Sequence, residues 1–391
     1  MKILVISSKY QPEYSGSGLR AHNTYQRLKK SYDINFDLLT NSINHQGNKK
    51  YKYDGVEVTR ISPPFKIPLK RSVWRFILIG LGIFWEIYFC YKFIRKKINQ
   101  YDLLHTFGNT WSIGFLSWYF AKKNKPIIRE LCNEMSNPLY PIQVQNYMKT
   151  IFKKENTMIV AISKRLDDLA KKFDIKNIWC RPNPVNENKF FVDYKKKYLL
   201  RQKLTKFNQN DIVLSLIANF IDRKNQLFAI DVLKLLPKEF KLILAGPLKD
   251  ENDDYLYQIK KKINNLQLSD RIHIQIKFIS NFDEYLKCSD VFLFPSKAEG
   301  LGTPILESQA CGVPVVSNFI ENITDTIIKE NKGGYFLDLD SKRWARAIQN
   351  VIKIPKDILI DNANYINNIS SSKIIDAEYF KKIKKLIHNE S

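Results

Sequence analysis

The chain has 391 residues, 44% hydrophobic and 26% charged, a balance that excludes a disordered or low-complexity protein and allows two ordinary domains. The formal net charge of +24 is uneven: residues 1–200 carry 35 Lys and Arg against 15 Asp and Glu, whereas residues 201–391 carry 28 against 24. Five cysteines (Cys90, Cys132, Cys180, Cys288, Cys311) without CxxC spacing, and five histidines without an HExxH pattern, point to reduced buried thiols and away from a metal centre.

The opening KILVIS reads as a buried first strand, without the layout of a secretory signal. A helical pattern follows in GLRAHNTYQRLKK, then a second strand in INFDLLT. Between them GSGLRA (Gly16 to Ala21) fits G-x-G-x-x-A, a dinucleotide-binding pattern. Eight residues separate Ser7 from Gly16, too many for the tight turn of that fingerprint. The second strand ends in LLTNS and offers no acid for a ribose hydroxyl, so no nicotinamide cofactor is expected. The glycines suit instead a flexible loop whose backbone can approach a phosphate.

RSVWRFILIGLGIFWEIYFCYKFIRKK (Arg71 to Lys97) is apolar, aromatic-rich and basic at both ends. Its uncharged stretch Phe76 to Trp85 has ten residues, too few to span a bilayer, and Glu86 follows. Three readings stay open: a core helix of an α/β domain, a helix lying in a membrane interface, and a spanning helix. The basic first half favours peripheral contact with an anionic membrane over nucleic acid, because no strand carries the exposed aromatics of an RNA-binding face. The expected location is cytoplasmic, at the inner face of the cytoplasmic membrane.

DLLHTFG and KPIIREL continue the alternation of strand and helix, and DIVLSLIA, QLFAIDVLKLL, FKLILAG, RIHIQIKF, VFLFPS and VPVVSN repeat it in the second half. That rhythm implies parallel sheets with helices on both faces. The polar, turn-rich RPNPVNENKFFVDYKKKYLLRQK between the halves reads as a linker near residue 185. The expected architecture is α/β: two doubly wound, Rossmann-like domains, 1–185 and 186–370, facing one another across a cleft. A last helix at about 370–391 is a candidate to pack back on the first domain.

The stretch EGLGTPILESQACGVP (Glu299 to Pro314) sets two carboxylates beside a glycine-rich turn. Val291 to Phe294 reads as a strand ended by Pro295 and Ser296. Thr303 is the expected N-cap, Pro304 the first helical residue, and Gly312 the residue just past the helix end. Glu299 then lies in a loop at a strand's carboxyl end, where ligands bind in open α/β sheets, and Glu307 on the first turns of the helix. Two carboxylates so placed also suit a glycoside hydrolase, but a phosphate-type loop has no purpose there.

FPSKAEGLGTPILESQACGVPVV resembles the E-x7-E signature region of retaining glycosyltransferases of family 4, which have the GT-B fold. ILVISSKYQPEYSGSGLR resembles that family's opening strand and glycine loop, YDLLHTF its strand-end histidine segment, and AISKRLDDLAKKFDIKNIWCRPNPVNENKFF its entry into the second domain. KLILAGP and SDRIHIQ also fall in order, so the likeness is collinear over nearly the whole chain. It implies a nucleotide diphosphate sugar held mainly by the second domain and a glycan or lipid-linked acceptor held by the first. It also implies retention of anomeric configuration, no obligatory metal, no cofactor, and a place in surface polysaccharide biosynthesis.

Carried over by position, Glu307 would bind the donor's ribose hydroxyls and Glu299 would contact the donor sugar. Lys224 in ANFIDRKNQ would neutralise the diphosphate, with Arg223 beside it, and Gly16 would approach it from the other domain. His105 would sit near the transferring sugar or the acceptor. Elementary chemistry supports these roles: a departing diphosphate gains negative charge, which a fixed cation and the N–H groups of Leu301, Gly302 and Thr303 at a helix start can meet. A carboxylate can accept two hydrogen bonds from a vicinal diol. Two departures stand out: Asn219 where the family often has an arginine, and Phe107 where a second histidine often stands. They keep open altered specificity or lost activity, hence an inactive GT-B scaffold at a membrane; a nucleotide-sugar epimerase of the same fold is a further alternative.

Overall fold

The structure, a computed structural model, describes residues 1–13, 15–42, 44–68, 72–131, 139–248 and 254–388. Arg71 and Cys132 lie outside the described residues. The chain divides into two compact units, Met1–Arg181 with Ile375–Ser391, and Pro182–Ile374. Each is a Rossmann-like α/β domain.

In the first unit the order is β1 (Lys2–Ser7), α1 (Gly16–Tyr32), β2 (Asn35–Asn41), β3 (Lys49–Tyr53), β4 (Val56–Ile61), α2 (Val73–Ile94), β5 (Leu103–Phe107), α3 (Trp111–Lys122), β6 (Ile127–Leu131), α4 (Gln145–Phe152), β7 (Thr157–Ala161), α5 (Lys164–Lys171) and β8 (Ile178–Cys180). The sheet runs β3-β4-β2-β1-β5-β6-β7-β8, parallel except for β3 against β4. Ile3, Leu4, Val5 and Ile6 are all buried because a parallel sheet is covered on both faces, which removes the alternation of a half-exposed strand. The β3–β4 hairpin was not read from the sequence. Its signal was Asp54-Gly55, both at positive φ (45° and 75°), the dipeptide that two-residue hairpin turns demand.

In the second unit α6 (Lys197–Leu204) overlaps the end of the expected linker stretch. It is followed by β9 (Ile212–Ile217), α7 (Gln226–Lys234), β10 (Phe240–Gly246), α8 (Asp254–Asn265), β11 (Ile272–Ile276), α9 (Phe282–Lys287), β12 (Val291–Phe294), α10 (Thr303–Ala310), β13 (Val315–Asn318), α11 (Thr324–Ile327), β14 (Gly334–Leu337), α12 (Ser341–Val351) and α13 (Lys356–Ser370). The six parallel strands run β11-β10-β9-β12-β13-β14. Chain order therefore reverses between β9 and β12, which opens a crevice beyond their carboxyl ends.

The last helix, α14 (Ser372–His388), belongs to the first unit from Ile375 onward. Arg27 donates to Asp376 through Nε (2.6 Å) and Nη2 (3.0 Å), Tyr32 stacks on Phe380 at 4.4 Å, and Tyr379 and Ile383 join the core around Tyr25 and Phe107. α2 departs from the core-helix reading. Of its residues only Gly82, Cys90 and Ile94 are buried.

Candidate active site

The second unit's crevice is lined from two loops. The turn after β9 carries Asp222, Arg223 and Lys224, and the loop after β12 carries Glu299 to Thr303. The loops are stitched together: Lys297 N donates to Arg223 O (2.9 Å), Arg223 Nη1 to Ala298 O (2.6 Å), and Lys297 Nζ to both oxygens of Asp222 (2.7 and 2.9 Å). Such bonds hold cations and carboxylate in place before any ligand arrives, which is what electrostatic stabilisation requires.

Glu299 Oε1 takes both cations: Lys224 Nζ donates to it, and Arg223 Nη1 lies 3.1 Å away. Oε2 accepts no hydrogen bond from the described residues, so half of the carboxylate is open to a ligand. Burial lowers the Lys224 ammonium from its ordinary value, and Glu299 opposes that shift. Lys224 also lies 5.4 Å from the Phe294 ring centre. Asn219, at the arginine departure, uses its carbonyl to accept from Gln226 Nε2 (2.9 Å) and adds no cation.

The helix start differs by one residue from the expectation. Gly302, not Thr303, is the N-cap, with φ 84° and ψ 49°, a conformation that favours glycine, so Thr303 opens the helix and Pro304 follows. The Thr303 hydroxyl accepts from Asn183 Nδ2 (2.7 Å) and does not cap. Among the described residues, the N–H groups of Leu301, Gly302 and Thr303 donate to no protein acceptor. One turn on, the Glu307 carboxyl makes neither a hydrogen bond nor an ion pair among the described residues, and burial pushes it up to about 7. Seven of the nine expected site residues thus lie on this one crevice and its helix.

The other two lie in the first unit. Gly16 is the first residue of α1, and nothing stands within 4 Å of where its Cβ would be. The packing demand for glycine falls at Gly18, where a Cβ would come within 2.4 Å of the Lys9 carbonyl. His105 requires a correction. Its ring is fully buried on β5, accepts or donates at Nδ1 with the Tyr25 hydroxyl (2.7 Å), and stacks on Phe107 at 4.4 Å. Burial lowers its pKa to about 3, so the ring is neutral. It presents no atom to a substrate and is a member of the core.

The residue that organises this core, Glu130 on β6, was not singled out from the sequence. It is fully buried, with Arg20 Nη1 at 3.1 Å and Arg181 and Tyr379 both donating to it. Its only sequence signal was an acid inside the apolar run KPIIREL. No group of three or more His, Cys, Asp or Glu among the described residues is arranged to hold a metal ion.

Residues 198–370 match the family model described as "Glycosyl transferases group 1". The chain is 29% identical over 170 residues to the capsular polysaccharide biosynthesis glycosyltransferase CapH of Staphylococcus aureus, covering 42% of this chain and 47% of that one. It is 24% identical over 264 residues to an Escherichia coli UDP-Gal:alpha-D-GlcNAc-diphosphoundecaprenol alpha-1,3-galactosyltransferase, covering 64% and 65%. These alignments thus span about half to two thirds of the relatives' length. Among solved structures, Anabaena HepE in complex with UDP superposes with a TM-score of 0.76 over 98% of this chain and 100% of its own, at 17% identity, a likeness of fold. Residues 198–370 thus match a glycosyltransferase family model, and the chain as a whole shares the two-domain fold of solved GT-B glycosyltransferases.

Proposed function

We propose that the chain is a retaining glycosyltransferase that moves a sugar from a nucleotide diphosphate sugar to a glycan or lipid-linked acceptor in surface polysaccharide biosynthesis. The observation that carries this reading is the crevice between β9 and β12, where Arg223, Lys224 and three free backbone N–H groups meet a half-open carboxylate. Breaking the bond from the anomeric carbon to the diphosphate puts negative charge on the leaving oxygen and positive character on the sugar ring. Lys224, Arg223 and the N–H groups of residues 301 to 303 meet the first, without a metal. Glu299 Oε2 meets the second. The acceptor oxygen bonds the anomeric carbon on the face the diphosphate leaves, and its proton passes to the departing phosphate. Relatives named for capsular polysaccharide and for a diphosphoundecaprenol-linked sugar support the acceptor class.

The two glutamates are expected to fail differently. Glu307 binds ribose, which does not change during transfer, so Glu307→Gln weakens donor binding in ground and transition states alike. Glu299→Gln lowers the single-turnover rate with little change in donor affinity. Calorimetry and single-turnover kinetics with a panel of nucleotide diphosphate sugars test both; identical binding losses would overturn the division of labour, and full activity in both would overturn the assignment. Binding without turnover in the unaltered chain would indicate an inactive scaffold.

A pH series adds a third arm. Only the ionised Glu307 accepts from both ribose hydroxyls, so donor affinity rises with pH through about 7. Glu307→Gln flattens that rise. A slope that persists in the variant assigns it to another group.

A further inference from the structure

We infer that the outer face of α2 is a membrane-docking surface, on which the first unit lies against an anionic phospholipid bilayer with the helix parallel to the lipid plane. The helix is the one described segment long and apolar enough to cross a membrane, yet only 22% of its most apolar window is buried. Six of its exposed residues form one stripe, Val73, Ile77, Leu81, Phe84, Tyr88 and Tyr91, at the three- and four-residue spacing of a single helix face. Trp74 (72% exposed) and Phe76 (68%) flank its start. From Val73 to Tyr91 the stripe runs ~27 Å at 1.5 Å per residue, a length that a contiguous exposed apolar surface on a free domain does not reach without a partner.

The opposite face is fixed to the domain, which decides between lying and spanning. A Cβ on Gly82 would stand 3.7 Å from the Ile67 side chain, Trp85 Nε1 donates to Asn48 Oδ1 (3.2 Å), and Glu86 Oε2 lies 3.5 Å from the buried Ser112 hydroxyl. Glu86, the helix's only acid, is thus turned towards the sheet. A spanning helix would have to abandon these contacts and carry that carboxyl into lipid.

Charge selects the occupant. The first unit carries 35 Lys and Arg against 16 Asp and Glu, so a second copy seated on the same face would bring two strongly cationic units together. At the carboxyl end of the helix the cations rest on aromatic rings: Lys92 on Phe89 (5.7 Å), Arg95 on Tyr91 (5.9 Å) and Lys97 on Phe93 (4.6 Å). Aromatic bodies with cationic tips are the side chains that settle at the boundary of acyl chain and phosphate headgroup. Ser112 in turn donates to Asn41 at the carboxyl end of β2 (2.6 Å), so docking through α2 brings that end of the sheet to the lipid surface. This suits a lipid-borne acceptor, a consequence that rests on the glycosyltransferase reading; the docking itself does not.

The test is sedimentation of the full chain with phosphatidylcholine vesicles, with and without phosphatidylglycerol, at low and high salt. Binding to the anionic vesicles, weakened by salt, is expected. The triple substitution Trp74→Ser, Leu81→Ser, Phe84→Ser should weaken it ~10-fold or more while leaving the thermal midpoint and solution binding of a nucleotide diphosphate sugar unchanged. Equal sedimentation of the variant would overturn the proposal. So would absent binding by the unaltered chain, or a concentration-dependent dimer that the triple substitution abolishes. Loss of nucleotide-sugar binding in the unaltered chain strikes the glycosyltransferase reading and leaves the docking result standing.

Discussion

Lys224→Ala is expected to lower the single-turnover rate by about 100-fold, equivalent to ~3 kcal/mol of lost transition-state stabilisation, while thermal stability moves little. The asymmetry follows from what Lys224 touches. Its ammonium is paired with Glu299, with both side chains about one-seventh exposed (15% and 13%). Arg223 remains on the same oxygen at 3.1 Å, so removing Lys224 leaves no carboxylate without a cation, and the fold loses a pair worth on the order of 1 kcal/mol or less. On the proposed mechanism the leaving diphosphate has no such substitute, because Arg223 is anchored to the Ala298 carbonyl and is 45% exposed. Measured with the best donor from a nucleotide-sugar panel, Arg223→Ala should be the milder change. If it proves the damaging one and Lys224→Ala is mild, the positional carry-over is off by one. If neither matters, the diphosphate is held elsewhere.

The loops of this crevice were legible because each is a short stretch of chain with its own grammar. VFLFPS ends a strand, glycine and proline mark the turn, and Gly312 (φ 70°) closes the helix as expected. The cap residue was misread because a threonine and a glycine stand side by side, and the choice between them depends on Asn183, 120 residues away, taking the threonine hydroxyl. The same limit hid the character of His105. A histidine near a strand's end reads as a site residue until Tyr25, Glu130 and Tyr379 are seen to enclose it, and those come from α1, β6 and α14. In α2 the composition was informative and the orientation was not. An apolar helix does not state which face it buries, and here the buried face is marked by Gly82, Cys90 and the inward Glu86, a weaker signal than the aromatics on the outside.

Glu130→Ala is expected to cost the first unit ~3–5 kcal/mol, the largest stability effect of any substitution considered. The carboxylate is wholly enclosed and meets Arg20, Arg181 and the Tyr379 hydroxyl, joining α1, β6, the end of the β8 segment and α14. Deleting it removes the anion that Arg20 and Arg181 share inside the unit, a loss greater than the net worth of the intact cluster. Burial alone would raise the carboxyl's pKa, but Arg181, then Arg20, hold it below the ordinary carboxylate value. The stability it contributes is therefore present above about 4.5, its unfolded value, and is lost as pH falls through the lower folded value. His105, 4.0 Å from the same carboxylate, acts in the same direction. Its folded pKa is depressed to about 3, so protonation of the unfolded chain withdraws stability as pH falls below 6.5. Denaturant unfolding from pH 8 down to about 2.5, followed by Trp179, which packs on Tyr379 at 4.7 Å, should show the unaltered first unit weakening towards acid. Glu130→Gln keeps the shape, removes the charge, and should flatten the limb below pH 4.5 while leaving the His105 limb. A loss under 1 kcal/mol for Glu130→Ala, or an unaltered acid limb in Glu130→Gln, would mean that the cluster relaxes to admit water and that α14 is held by its apolar contacts and the Arg27–Asp376 pair instead.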